Sequence, residues 1–204
     1  KYEWKKQEKS ICLPSALPQT ITLPPYKYYV ISGTGDPNSE PFKLRVSFLY
    51  KLAYGIRMLP KKGMIPEGYY EYTVYPLEGI WGYRDDFSAS GQDKASFTYQ
   101  IMIRQPDFVD ESLASANCVA IKQKFPEFTS INPLFMHIED GLCVQMMHIG
   151  SYDDEPASFA KMMAYCDENN LERRTATHRE IYIGDPNRGS IDQLKTVLRY
   201  FVQQ

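Results

Sequence analysis

The sequence predicts an α+β protein built from two similar halves, each with the order strand, helix, strand, strand. The first observation behind this prediction is a repeat at an offset of 115 residues, in which Gly35, Glu40, Pro41 and Tyr50 recur as Gly150, Glu155, Pro156 and Tyr165. The second is that aromatic and β-branched segments flank an apolar pattern of helical period in both halves. A duplicated module accounts for both observations.

In the first half, a strand over residues 28–31 precedes a helix that begins at Glu40 and Pro41. Proline suits a first helical turn because it has no N–H to leave unpaired, and an acid there meets the positive end of the helix dipole. We expect the helix to bury residues at helical spacing: Leu44, Phe48, Leu52, Ile56 and Leu59. Residues 60–63 end it, and two strands are predicted to follow, over residues 69–75 and 97–104.

The second half repeats this order. A strand over residues 142–149 precedes a helix that we expect to bury Phe159, Met162, Met163 and Cys166. Strands over residues 177–183 and 196–202 follow. Between the halves, a connecting helix capped by Asp110 is predicted over residues 110–124, with Leu113, Val119 and Ala120 facing inward. Residues 88–93 are predicted to form a polar loop between strands.

Composition excludes several classes of protein. A formal charge of −2 gives no basic surface for nucleic acid, and no apolar run reaches the length of a membrane span. Without an apolar leader at its start, the chain is predicted to be cytoplasmic. Four widely spaced cysteines are expected to be reduced, and the three histidines lack metal-ligand spacing, so we expect no metal and no cofactor. The acidic pairs Asp85-Asp86 and Asp153-Asp154 are interpreted as turn and capping residues.

Tyrosine is unusually frequent, with 16 residues against 14 leucines. Six large rings cluster within fifteen residues: Tyr69, Tyr70, Tyr72, Tyr75, Trp81 and Tyr83. A strand has two faces, so some of these rings should lie away from the helices, where exposed rings indicate binding. For most of the tyrosines, core packing is the simpler explanation.

The strand over residues 177–183 has two different faces. Ile181 and Ile183 share one face, which suits packing against the helices, while His178, Glu180 and Tyr182 share the other. A carboxylate among rings indicates a polar, aromatic site. The alternative is a sheet with one solvated face, in which Glu180 needs no role.

Several segments resemble GyrI-like small-molecule-binding proteins. They are residues 71–81 (EYTVYPLEGIW), residues 99–106 (YQIMIRQP), residues 141–156, residues 178–186 and residues 194–200. The resemblance implies a single domain over residues 1–204 made of two tandem SHS2 modules related by a pseudo-twofold axis. Module one covers about residues 20–106, the connecting helix about 107–125, and module two about 135–204. The resemblance also implies an aromatic cleft between the modules for a bulky, flat molecule, with Glu180 as the polar anchor.

Stand-alone relatives have been linked to hydrolysis of spiro-cyclopropane genotoxins, and this suggests roles for the candidate residues. Glu180 would deprotonate water and Tyr72 would donate to the developing oxyanion. Five further residues would bind the ligand: Tyr75, Trp81, Met146, His148 and Tyr182. Two alternatives stay open. One is a non-catalytic binder of lipophilic cations with Glu180 as counter-ion, and the other is a module that contacts gyrase, as some relatives do.

Overall fold

The computed structural model describes residues 1–83, 94–184 and 190–204. Its strands are β1 (Gln19–Leu23), β2 (Tyr26–Thr34), β3 (Leu77–Tyr83), β4 (Phe97–Gln105), β5 (Leu134–Ile138), β6 (Gly141–Ile149), β7 (Glu172–Arg173), β8 (His178–Tyr182) and β9 (Lys195–Gln203). Its helices are α1 (Trp4–Gln7), α2 (Lys9–Cys12), α3 (Glu40–Arg57), α4 (Glu111–Lys124) and α5 (Glu155–Glu168). The α+β class and the two helix starts at Glu-Pro are therefore confirmed. The predicted polar loop 88–93 and the pair Asp85-Asp86 lie outside the described residues.

The chain divides into two compact units. The first comprises Lys1–Glu3, Tyr26–Leu77 and Tyr83–Ile138. In it, β2 pairs antiparallel with β4 on one side and β5 on the other. Helix α3 buries Phe48, Leu49, Leu52 and Ile56, and the Phe48 ring stacks on Phe128 with centroids 4.6 Å apart. Leu44, near the start of α3, is 37% exposed rather than buried.

Helix α4 begins as predicted, because the Asp110 side chain accepts a hydrogen bond from the Leu113 amide at 2.7 Å. Its predicted inward face is wrong at Val119 and Ala120, which are exposed. The buried residues are Ala114, Asn117 and Ile121. Asn117 donates to the hydroxyl of Tyr29 at 3.2 Å and to the Leu52 carbonyl at 3.0 Å. A polar residue thus fixes the packing of α4, which an apolar pattern could not indicate.

The strand predicted over residues 69–75 is wrong. The segment has only an isolated bridge between Tyr72 and Tyr2. Its backbone is held by the Arg57 guanidinium, which donates to the Tyr72 carbonyl at 2.6 Å, and its rings pack on Phe108. Tyrosine favours strands because its ring packs well on a sheet, not because of a backbone preference. In this segment the rings pack on Phe108 without forming a strand.

The second unit comprises Trp4–Pro25, Glu78–Gly82 and Glu139–Gln204. Its strands are antiparallel in the order β1, β6, β9, β8, β3, and β7 pairs with β9. Helix α5 buries Met162 and Cys166 against Val144, Met146, Leu198 and Tyr200 of the sheet. Met163 is exposed rather than buried, because it faces away from this cluster.

The register corrects the predicted orientation of β8. Glu180 pairs with Leu198, which pairs with Met146, so Glu180 lies on the face that α5 covers. Ile181 lies on the opposite face with Met147 and Val197, where Leu13 of the N-terminal segment packs. The alternation of residues along β8 separated its two faces correctly. The segment that covers the isoleucine face, however, lies more than 150 residues earlier in the chain, so a local sequence pattern could not indicate it. Among the described residues, no helix is both long and apolar enough to cross a bilayer.

Candidate functional site

The site is centred on Glu180, in the middle of β8. Glu180 is 8% exposed, and each of its carboxylate oxygens contacts a residue two positions away in the sequence. Nε2 of His178 lies 2.8 Å from Oε1, and the Tyr182 hydroxyl donates to Oε2 at 2.7 Å. Because alternate residues of a strand share a face, the sequence His-x-Glu-x-Tyr itself brings these groups together. The orientation of the carboxylate is therefore fixed by its own strand.

Trp81 of β3 extends this arrangement. The register pairs Trp81 with His178 and Gly79 with Glu180, and the indole Nε1 donates to the Tyr182 hydroxyl at 2.8 Å. A Cβ at position 79 would lie 2.5 Å from that Nε1. Only glycine at position 79 lets the indole lie across the strand and reach Tyr182. The chain of hydrogen bonds from Trp81 through Tyr182 to Glu180 is thus built into two adjacent strands.

The start of α5 and the turn before it supply further groups. The Tyr152 ring packs edge-on against Tyr182, with centroids 6.1 Å apart. Glu155 is 7% exposed, and its Oε1 has no hydrogen-bond partner among the described residues. Phe159, one turn further along α5, packs against the His178 imidazole at 4.7 Å. The carboxylate of Glu180 therefore has aromatic rings and a second carboxyl group around it.

Burial dominates the protonation of this cluster. It raises the pKa of Glu155 to about 9, and repulsion by Glu180 adds to the effect. Burial likewise raises the pKa of Tyr152 to about 12 and that of Tyr182 well above its ordinary value, with Glu180 again the second cause. Both phenols and the Glu155 carboxyl are consequently uncharged at neutral pH. The site combines protonated donors with the Glu180 carboxylate.

A family model for the GyrI-like small molecule binding domain matches residues 18–200. The chain belongs to the GyrI-like family. An uncharacterized conserved protein from Listeria innocua is similar to it at 32% identity over the whole of both chains, with a TM-score of 0.92. A hydrolase from Listeria innocua is similar at 30% identity, again over both whole chains, with a TM-score of 0.91. The C-terminal domain of EcmrR shares the fold at 14% identity and a TM-score of 0.53, covering 92% of this chain and 97% of that one. A search of curated protein sequences finds no match.

In this GyrI-like chain, three of the predicted site residues come together: Glu180, Tyr182 and Trp81. Met146 lies in the core cluster beneath α5. His148 is buried, and both of its ring nitrogens have partners, Ser158 Oγ at 2.9 Å and the Ser151 carbonyl at 2.8 Å. A carbonyl oxygen can only accept, so Nε2 carries a proton and donates to Ser151.

Tyr72 and Tyr75 lie in the first unit. Tyr72 is fully buried, and its hydroxyl has no hydrogen-bond partner among the described residues. Burial raises the pKa of Tyr72, so it stays a neutral phenol. The Tyr75 ring lies 4.5 Å from the Arg104 guanidinium, which also lies 3.5 Å from the Tyr26 ring. The roles of Tyr72 and Tyr75 toward a ligand stay predictions.

Sequence reasoning missed Glu155 and Tyr152 as members of the site. The repeat carried a signal for Glu155, because it identified Glu155 and Glu40 as the first residues of two equivalent helices. Sequence reasoning also missed Arg179, which is 0% exposed and lies on the opposite face of β8 from Glu180. Arg179 donates to Glu78 at 3.0 Å and to Asp140 at 2.6 Å, and Asp140 also accepts from Arg199 at 3.2 Å. No group of three or more residues suited to a metal ion occurs within residues 1–83, 94–184 and 190–204.

Proposed function

We propose that this GyrI-like protein binds flat aromatic molecules beside Glu180 and hydrolyses spiro-cyclopropane genotoxins, the cyclopropanoids. The observation that carries the proposal is the Glu180 carboxylate, buried among rings and held by His178 and Tyr182. A buried, oriented carboxylate is suited to act as a general base. The likeness to a hydrolase from Listeria innocua over the whole chain also supports hydrolysis.

The proposed reaction opens the three-membered ring by attack of water. Glu180 removes a proton from the water molecule while its oxygen bonds to a cyclopropane carbon. The ring C–C bond breaks, and its electron pair moves into the conjugated dienone to give a phenolate oxygen. Protonation of that oxygen completes the product, a phenol that carries a hydroxyalkyl group. The overall change is the addition of one water molecule, without oxidation or reduction.

The neighbouring rings suit the substrate class. Trp81 and Tyr182 offer large, rigid apolar surfaces, and their polar groups satisfy each other. A flat conjugated dienone can stack on such rings without leaving a buried donor unpaired. Tyr182 already donates to Glu180 and accepts from Trp81, so we assign it to positioning of the carboxylate rather than to proton donation.

The test compares Glu180→Gln with the wild type on a spiro-cyclopropyl cyclohexadienone, with the phenol product quantified by chromatography. Loss of the base is expected to lower kcat at least about 100-fold. Glu40→Gln, at the equivalent exposed position of the repeat, is the matched control and should retain wild-type turnover. Circular dichroism of all three proteins checks the fold. Equal turnover by the wild type and Glu180→Gln would reject hydrolysis assisted by Glu180.

A second candidate function is the binding of lipophilic aromatic cations without turnover. Glu180 would then be the counter-ion, and the adjacent rings would add cation–π attraction. This candidate predicts that Glu180→Gln weakens the binding of an aromatic phosphonium cation, measured by fluorescence titration, while the spiro-cyclopropane compound is recovered unchanged from the wild type. Product formation by the wild type would favour hydrolysis instead.

A further inference from the structure

Glu155 is a buried acid that has no role in the proposed attack of water on the cyclopropane ring. It is the first residue of α5, is 7% exposed, and has an Oε1 atom without a hydrogen-bond partner in the described chain. Burying a carboxyl oxygen without a partner costs free energy, and burying it as an anion costs much more. A residue that is merely structural would be expected to have its oxygens satisfied. Glu155 is therefore available to a molecule that enters the site.

The surroundings of Glu155 are those of the Glu180 site. The Glu180 carboxylate repels it, and Glu155 in turn acts on the Tyr152 phenol. Tyr152 packs on Tyr182, the residue that holds Glu180. In the part of the chain that the structure describes, the titratable groups around the start of α5 include Glu180, His178 and Tyr182 of β8, His148 of β6, and Tyr152, Asp153 and Asp154 of the preceding turn. No lysine or arginine forms an ion pair with Glu155 among the described residues.

Two effects oppose each other at this position. The helix N-terminus favours an anion only weakly. Burial of an unpaired carboxylate is the larger effect and disfavours the anion, and the neighbouring Glu180 adds to it. Burial therefore prevails, in agreement with the raised pKa of Glu155. Glu155 is consequently a protonated, uncharged acid at neutral pH.

We propose that Glu155 is the proton donor that complements Glu180, so that one carboxyl group accepts the proton of water and the other delivers a proton to the phenolate oxygen. This inference rests on the proposed hydrolysis. The O–H bond of Glu155 breaks and a phenol O–H bond forms, while Glu180 gains the proton from water. Transfer of that proton from Glu180 to Glu155, directly or through water, restores the starting state. Atoms and charge balance without any co-reactant.

The experiment measures kcat from pH 5 to 11 for the wild type, Glu155→Gln, Glu155→Asp and the matched control Glu40→Gln on the spiro-cyclopropyl cyclohexadienone. Glu155→Gln is expected to lower kcat about 100-fold and to remove the decline of kcat at alkaline pH, since glutamine has no proton to lose. Glu155→Asp retains an acid and should retain the alkaline decline. Glu40→Gln should match the wild type. A kcat and pH profile unchanged in Glu155→Gln would overturn the inference.

Titration of the carboxyl group gives a second reading that needs no turnover. Carbon-13 labelling of glutamate, with Glu155→Gln used to assign the resonance, is expected to show Glu155 protonated at pH 7 in the folded protein. An ordinary carboxyl titration of Glu155 would overturn its role as proton donor and would leave the proposed hydrolysis standing. Absence of turnover by the wild type would overturn the proposed hydrolysis, whatever the titration showed. Tyr72→Phe tests the competing donor: if it, and not Glu155→Gln, removes the alkaline decline, the proton comes from Tyr72.

Discussion

The two long helices that follow a glycine turn begin with the same pair of residues, yet their first acids have opposite environments. Glu40 of α3 has a side chain that is 86% exposed and forms an ion pair with Lys43 at 2.7 Å. Glu155 of α5 is buried, and no lysine or arginine within residues 1–83, 94–184 and 190–204 forms an ion pair with it. Each glutamate precedes a proline in the first helical turn. The local chemistry that starts a helix is thus shared, and the tertiary surroundings decide the charge.

The residue three positions further along differs between the two helices. Lys43 occupies this position in α3, whereas Ser158 occupies it in α5 and bonds to His148 at 2.9 Å. A lysine could satisfy an ionised glutamate one turn away. Serine carries no charge, so this position of α5 provides no ion pair that would offset the burial of Glu155 and its repulsion by Glu180. The same Glu-Pro helix start is therefore exposed in α3 and buried in α5.

The largest expected effect is on the pH dependence of stability. Glu155 has an ordinary pKa in the unfolded chain and a raised one in the folded protein, so the folded state binds more protons between the two values. The free energy of unfolding should therefore fall as pH rises from about 4.5 to 9, by at most about 1.4 kcal/mol per pH unit. Glu155→Gln removes this loss, whereas Glu40→Gln does not. Urea denaturation at pH 5, 6, 7 and 8 measures it, and parallel stability curves for the wild type and Glu155→Gln would contradict the comparison.

Next in size is the coupling between the two buried acids. Glu180→Gln removes the repulsion and is expected to lower the pKa of Glu155, where each unit corresponds to about 1.4 kcal/mol. The pKa should stay above its ordinary value, because burial is the larger cause. Carboxyl titration by NMR in the Glu180→Gln background measures the shift, with Glu168→Gln, an exposed substitution at the end of α5, as control. An unchanged pKa would mean that burial acts alone.

Local chemistry allowed much of the helical structure to be predicted. Glu40-Pro41, Glu155-Pro156 and the Asp110 cap each act within one turn, and all three helices begin where these residues stand. The grouping of Glu180 with Tyr182 followed from alternation within a single strand. These features depend on neighbours in the sequence, which is why a single sequence sufficed.

The missed features depend on partners that are distant in sequence. Arg179 shares a face with isoleucine, and its buried charge is compensated by Glu78 and Asp140, which are far from it in the chain. The side of β8 that α5 covers likewise follows from the register of β8 with β9. Strand pairing is not encoded in a local pattern, so the site could be predicted only in part. The module boundaries, the absence of a cofactor and of nucleic acid, and the cytoplasmic location stay predictions.

A smaller effect is expected at Ser158, the residue that replaces lysine in α5. Ser158→Ala removes the hydroxyl that bonds to Nδ1 of the buried His148, and an unpaired buried nitrogen should cost about 1–2 kcal/mol of unfolding free energy. Ser47→Ala, an exposed substitution in α3, controls for the higher helix propensity of alanine. Denaturant unfolding at pH 7 measures both. Equal stability of the two variants would mean that water replaces the lost hydroxyl.

The smallest effect is expected at the exposed helix start. Lys43→Ala breaks an ion pair whose side chains are 61% and 86% exposed, and such pairs contribute about 0.3–0.5 kcal/mol because water screens them. A double-mutant cycle with Glu40→Gln isolates this coupling, and 0.5 M salt should reduce it further. A coupling above about 1 kcal/mol that salt left unchanged would contradict the contrast between the two helix starts, because it would mean that Glu40 is not solvated. The expected small value makes Glu40 the solvated reference against which the burial of Glu155 is measured.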